Sequence, residues 1–376
     1  MKKKSDIVVD YDNSILSVSN SILKHFGVKP EYSTHDDLDK ILSSNYTNVV
    51  LVILDGLGVN VIAKNLPEDS FLRQHVISHI NSVFPPTTTA ATTAYHSGLP
   101  PCASGWLGWM NYFPQYDKII EVFRNKDYYS GEKQNTPPPS EDILKYTSIY
   151  EKILEYNPDI EYYKVFPDFE EDGCASFKEE CEKISNCVSK SNNKKIISAY
   201  WTEPDHTMHE QGVTSEDVKN IIADIDNNLQ ELSKKLKDTV LIISADHGMK
   251  DVEMVMLNDN PDICNLFKRP PSLESRFVNF FIKDGMHQEF TTLFSKYYGD
   301  DFILFNKQEL LASNILGKGI TNPVIESFLG DYQAIAIGDK TLHYTTGERA
   351  LKIFKGEHAG YSPEEMEVPL IVATYK

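Results

Sequence analysis

Six side chains able to ligate a divalent cation are scattered along the chain: Asp55, Asp205, His209, Asp246, His247 and His358. Each stands beside a glycine, a turn or a run of small residues. Asp205 and His209 are four apart in DHTMH, so on a helical turn they face the same side. Three imidazoles and three carboxylates make two mixed nitrogen and oxygen donor sets. That chemistry suits zinc (Zn2+), with manganese (Mn2+) second. Two such cations about 3.5–4 Å apart can hold the attacking and leaving oxygens of a phosphate ester and absorb the developing charge. The run Thr87, Thr88, Thr89 offers a hydroxyl nucleophile. A hydroxyl is weak until it loses its proton, and metal coordination lowers its pKa.

The elements needed to bring these groups together can be read from the apolar pattern. Residues 48–54 (NVVLVIL), 195–201 (KIISAYW) and 239–245 (TVLIISA) are continuous apolar or small runs. They predict strands buried on both faces of a parallel sheet. Asp55 directly follows the first, Asp205 lies just past the second, and Asp246-His247 follows the third. Ligands bind at the carboxyl ends of strands in open α/β sheets. Two prolines before the small-residue run predict a helix opening near Thr88. Residues 14–27 predict a helix stopped by Gly27, and 214–236 a longer amphipathic one on Val218, Ile221, Ile222, Ile225, Leu229, Leu232 and Leu236, with a capping-type start at Thr214 and Asp217. Strand–helix–strand alternation implies a parallel sheet between helical layers. Residues 260–345 read as a small α+β cap insertion, leaving 1–259 plus 346–376 as the catalytic core.

Bulk composition excludes several partners. The formal net charge is −18, which repels nucleic acid and anionic membrane at long range, so neither is expected to bind. A small phosphorylated substrate would have to be attracted locally, by bound cations. Five cysteines (Cys102, Cys174, Cys181, Cys187, Cys264), none in a CxxC pair, indicate neither a disulfide framework nor a cysteine zinc site. No run reaches the ~20 apolar residues of a membrane helix. The basic start is interrupted by Asp6, Asp10 and Asp12 before any leader-like apolar segment. A cytoplasmic location is the expectation.

Five segments stand in order: VILDGLG (52–58), FPPTTTAATTAYHSGLPP (84–101), WTEPDHTMHEQG (201–212), ISADHGM (243–249) and GEHAG (356–360). Together they resemble the alkaline phosphatase superfamily, nearest to its nucleotide pyrophosphatase/phosphodiesterase-like branch. The resemblance implies an α/β fold with a central, mostly parallel sheet flanked by helices. It implies one metal on Asp55, Asp246 and His247, also binding the Thr88 oxygen, and a second on Asp205, His209 and His358. Counting from Phe84-Pro85 to Ser97-Gly98 places the family nucleophile on Thr88, between two chemically alike neighbours. The implied reaction is hydrolysis of a phosphodiester or pyrophosphate through a phosphothreonine. The alternatives are a monoesterase or phosphonate hydrolase on the same two-metal core, and a non-catalytic metal-binding relative.

Thr89-Ala90-Ala91-Thr92 departs from the Phe-Pro-Asn-His that follows the nucleophile in eukaryotic-type pyrophosphatases, which leaves nucleotide specificity open. No Lys or Arg lies between Asn81 and Asp117. That favours diesters over monoesters, unless Arg269 or Arg276 supplies a cation. His96, His206, His287 and His343 are read as structural or surface residues. Trp106, Trp109, Tyr112 and Phe113 are expected to pack rather than stack on substrate, and the acidic run Asp168–Asp172 to form a solvated loop.

Overall fold

The computed structural model describes residues 3–348 and 350–376. Its central sheet uses six strands: β1 (Asn48–Leu54), β2 (Val76–Asn81), β3 (Glu161–Val165), β4 (Lys195–Trp201), β5 (Thr239–Ser244) and β6 (Glu367–Tyr375). They lie in the order β2-β6-β5-β1-β4-β3. β1 pairs in parallel with β5 and with β4, and β3 in parallel with β4. β6 is antiparallel to both β5 and β2, so five strands share one direction. All seven residues of β1 and all six of β5 are buried. Their unbroken apolar runs follow from cover on both faces.

Helices cover both faces. Ile15–His25 packs with Thr88–Ser97, while Glu216–Ser233 packs with Phe177–Ser189 and Val59–Asn65. The Glu216–Ser233 helix buries Val218, Ile222, Ile225, Leu229 and Leu232, the stripe its spacing predicts. Its N-cap is Ser215, whose hydroxyl accepts the Val218 N–H at 3.3 Å, rather than Thr214. Both residues carry the right hydroxyl, so only the backbone geometry separates them.

A second sheet of seven short strands stands apart from the first. Ser272–Leu273, Phe277–Phe280, Phe302–Asn306 and Tyr332–Ala336 come from the 260–345 segment. Met110–Phe113, Lys118–Glu121 and Lys126–Asp127 complete it. The segment therefore does not close a sheet by itself. It extends a meander that begins just after the Thr88 helix. Lys340–His343 pairs instead with Glu253–Met256. No helix among the described residues is long and apolar enough to cross a membrane.

One feature of the core costs stability. Glu180 is fully buried on the Phe177–Ser189 helix, and neither carboxyl oxygen meets a hydrogen-bond partner. Burial pushes its pKa well above the ordinary carboxylate range. A raised folded-state pKa leaves stability intact below the unfolded value. Stability is then lost as pH climbs past it, because the unfolded chain ionises first. Glu180→Gln should match the wild type near pH 4 and exceed it at pH 8 by about 1–3 kcal/mol. Urea melts at the two pH values check this; a pH-independent difference would contradict the assignment.

Candidate active site

Three adjacent parallel strands, β5, β1 and β4, release their carboxylates at one sheet edge. Asp55 follows β1, Asp246-His247 follows β5, and Asp205 opens the short Asp205–Gln211 helix after β4. β2 runs the same way, so the Thr88–Ser97 helix begins at that edge too. His358 arrives on Gly356–Glu357, which pairs antiparallel with Lys250–Asp251 just beyond His247. Gly56 is required where Asp55 turns toward Asp205. Its φ is +72°, and a Cβ there would sit 3.0 Å from the Asp205 Cβ.

The six predicted ligands and the predicted nucleophile, Thr88, converge. Asp205 Oδ2 lies 3.4 Å from His209 Nε2, and Asp205 Oδ1 lies 3.9 Å from His358 Nε2. His247 Nε2 lies 3.3 Å from Asp55 Oδ1, 3.5 Å from Asp246 Oδ2 and 3.2 Å from Thr88 Oγ1. The His247 and His358 rings stack with centroids 3.7 Å apart. Donor atoms of Asp205, His209 and His358 all lie within 4.8 Å of one another, as do those of Asp55, Asp205 and His247. Asp205 thus belongs to both groups, a sharing the sequence did not indicate.

The donor chemistry fits cations. Each histidine has Nδ1 against a backbone carbonyl: His209 on Gly356 at 2.7 Å, His247 on Gly248 at 2.9 Å, His358 on Pro86 at 3.0 Å. A protonated Nδ1 donates there and leaves the Nε2 lone pair aimed into the site, the tautomer a metal needs. One oxygen each of Asp55, Asp205 and Asp246 is buried without a hydrogen-bond partner. The other oxygens of Asp55 and Asp246 are held. Tyr200 donates its hydroxyl to Asp55 Oδ2. The Gly56 and His247 N–H groups donate to Asp246 Oδ1 at 3.2 and 3.0 Å. Buried polar atoms are almost always paired, so three orphaned carboxylate oxygens beside the His247 and His358 imidazoles make this a candidate cation site.

Without a cation the buried charges act on one another directly. Burial, then the Asp205 and Asp246 charges, push Asp55 well above the usual carboxylate range. Burial likewise raises Asp246. For Asp205 burial opposes ionisation, but His209, then His358 and His247, outweigh it and hold the carboxyl low. Burial depresses His209, yet Asp205 lifts it to about 9. Burial, reinforced by His247, drives His358 well below its ordinary value.

Above these groups opens a cavity of about 380 Å³. Trp109 lines it, whereas Trp106 and Phe113 are buried, with the Trp106 indole donating to the Leu144 carbonyl at 2.9 Å. Trp109 nonetheless packs edge-on against Phe123, with centroids 5.7 Å apart. His206 and His343 also line the cavity, and His343 Nε2 lies 3.4 Å from Glu357 Oε1. Neither cation considered from the insertion reaches it. Arg269 pairs with Asp117 at 2.6 Å, and Arg276 is buried against Glu365 at 2.6 Å. Arg124 and Lys352 line the cavity instead, beside Glu121 at 3.5 Å and Glu210 at 2.6 Å. Glu274, on a loop with no sequence signal, lines the wall next to Thr87 and Thr88. Burial pushes its carboxyl up to about 7 against the pull of hydrogen bonds from Thr87 and Trp109. Tyr200 was missed as well, although its place at the penultimate position of β4 puts it beside Asp55.

Solved structures share this architecture. Murine ectonucleotide pyrophosphatase/phosphodiesterase 5 superposes with a TM-score of 0.64 at 18% identity, covering 86% of this chain and 87% of that one. An inactive threonine-to-alanine form of the murine protein, in complex with AMP, gives 0.62 at 18% over the same shares. Phosphonoacetate hydrolase from Sinorhizobium meliloti 1021, in complex with phosphonoacetate, gives 0.62 at 15%, covering 88% and 91%. The model of the type I phosphodiesterase / nucleotide pyrophosphatase family matches residues 49–268, more than half of the chain and all the candidate site residues except His358. With the fold, the ordered motifs and this match in agreement, the chain belongs to the type I phosphodiesterase / nucleotide pyrophosphatase family of the alkaline phosphatase superfamily and is a phosphoric ester hydrolase.

Proposed function

We propose that the chain hydrolyses phosphodiester or pyrophosphate bonds of small phosphorylated molecules, with Thr88 as nucleophile. The observation that carries this reading is the Thr88 hydroxyl, 3.2 Å from His247 Nε2 at the edge of a buried donor set with three unpartnered carboxylate oxygens. Asp55, Asp246 and His247 would hold one divalent cation beside Thr88, and Asp205, His209 and His358 a second. Zinc is the ion this donor mix favours, with manganese second. Cations bound there would lower the pKa of the Thr88 hydroxyl and neutralise charge on the phosphoryl oxygens.

The chain's own groups supply the rest. Among the described residues, Thr87 makes no side-chain cap at the N-terminus of the ten-residue Thr88–Ser97 helix. Its first amides are therefore free to donate to a phosphoryl oxygen, where the helix dipole also favours negative charge. Thr88 Oγ loses its proton to solvent and forms a bond to phosphorus. The bond from phosphorus to the leaving oxygen breaks, and that oxygen departs with the electron pair. Water then attacks the phosphothreonine and frees Thr88. The murine threonine-to-alanine form in complex with AMP is inactive, which supports a threonine in this role.

A diester or pyrophosphate fits better than a monoester. Arg269 and Arg276 are committed elsewhere, and each cationic side chain of the wall named above sits by a carboxylate. The fold shared with phosphonoacetate hydrolase favours phosphonate cleavage as the second reading. Chelation should abolish turnover of bis-p-nitrophenyl phosphate and lower Tm by at least about 4 °C, since a ligand bound only by the native state stabilises it. Added zinc should restore both. A chelated protein that keeps its rate and its Tm would overturn the reading.

A further inference from the structure

Thr87 is the N-cap of the Thr88–Ser97 helix, with φ −139° and ψ 146°, yet it makes no side-chain cap. Threonine in that position ordinarily accepts an N–H of the first turn through its hydroxyl oxygen. Here the hydroxyl is turned away and donates to Glu274 Oε1 at 2.7 Å. The same oxygen accepts the Trp109 N–H at 2.6 Å. The backbone that presents Glu274 is unusual. Leu273 is fully buried with φ +76°, a conformation that side-chain-bearing residues rarely adopt. A Cβ on Gly108 would come within 3.2 Å of the Leu273 backbone, so glycine is what lets the two chains approach. Backbone strain of this kind persists only where surrounding structure enforces it, and it gathers at functional sites.

We propose that Glu274 is a positioning residue that draws the Thr87 hydroxyl away from the helix and keeps the first-turn amides beside Thr88 open to the phosphoryl group. The inference rests on Thr88 being the nucleophile. Without the Glu274 carboxylate, Thr87 rotates into the ordinary capping position and occupies an amide that substrate needs. The mechanism makes an epistatic demand that a merely structural role does not. Removing the thief should harm the site, and removing the hydroxyl that would otherwise cap should repair it.

The test compares Glu274→Ala with the double variant Glu274→Ala/Thr87→Val, which has no hydroxyl to cap with. Bis-p-nitrophenyl phosphate turnover is measured with inhibition by inorganic phosphate, after thermal melts establish folding. Expected results are a fall in kcat of about 10²–10³-fold in Glu274→Ala, the range for loss of one oxyanion donor, with a Ki for phosphate raised about tenfold. The double variant should regain at least tenfold in kcat and recover the Ki. A double variant as slow as Glu274→Ala, or a Glu274→Ala enzyme with unchanged kcat and Ki, overturns the proposal. Should Glu274→Ala fail to fold, Glu274→Gln is used. Its amide oxygen still accepts the Thr87 proton, so it must retain kcat within about threefold, and a larger loss counts against the proposal. If the nucleophile assignment is wrong, Thr88→Ala stays active. That outcome differs from every one above.

Discussion

Thr88→Ala lowers kcat for a phosphodiester by at least about 10³-fold, a barrier increase of about 4 kcal/mol. The hydroxyl is the only part of the side chain the reaction uses, and it sits 3.2 Å from His247 Nε2. The substitution is gentle on the fold. Thr88 is the first residue of its helix, Thr87 remains the N-cap, and alanine is the best helix former. Melting should therefore move little while turnover collapses. Stopped-flow measurement with wild type and variant, together with mass spectrometry of acid-quenched wild type for a phosphate on Thr88, checks both halves. A variant within tenfold of wild type would transfer the role to Thr87 or Thr89. Those neighbours are placed differently. Thr87 donates to Glu274, and Thr89 Oγ1 is buried with no hydrogen-bond partner.

Asp205→Ala should be the most damaging change among the proposed metal ligands. Its two oxygens face His209 at 3.4 Å and His358 at 3.9 Å, and its carboxylate also falls within reach of the Asp55 and His247 donors. Removing it takes the single acidic ligand from one group and a neighbouring charge from the other. Two divalent ions per chain should fall to at most one weakly held ion, with activity down by about 10³-fold or more. His358→Ala serves as the comparison, since it strips a ligand from one group only and should leave about one ion. Elemental analysis after dialysis separates the cases. Equal metal content in the two variants would show that Asp205 is not shared. Histidine ligands bind metal only when neutral, so loss of metal should also set in on acidification.

Much of this candidate site is legible in the amino-acid sequence. The runs at 48–54, 195–201 and 239–245 are strands in a parallel sheet because residues buried on both faces must be apolar throughout. Parallel strands put their carboxyl ends at one edge, so carboxylates following each run had to approach one another. His358 was legible for a different reason, the GEHAG segment set ahead of the final strand. The second sheet was not legible as a unit. Its strands are two to five residues long and come from both 110–127 and 272–336, and short strands carry too few alternating positions to announce their partners.

Residue types and spacing by themselves determined the donor set, the threonine run and the direction of the core strands, because burial and ligand chemistry constrain which amino acids can stand there. Tertiary structure alone decided that Asp205 is shared between the two groups, that Tyr200 holds one oxygen of Asp55, and that Arg269 and Arg276 are spent on Asp117 and Glu365. It also decided that Glu274 turns the Thr87 hydroxyl aside. Those are contacts between residues far apart in the chain, set by strand pairing and by how the elements pack, and no local pattern encodes such distances.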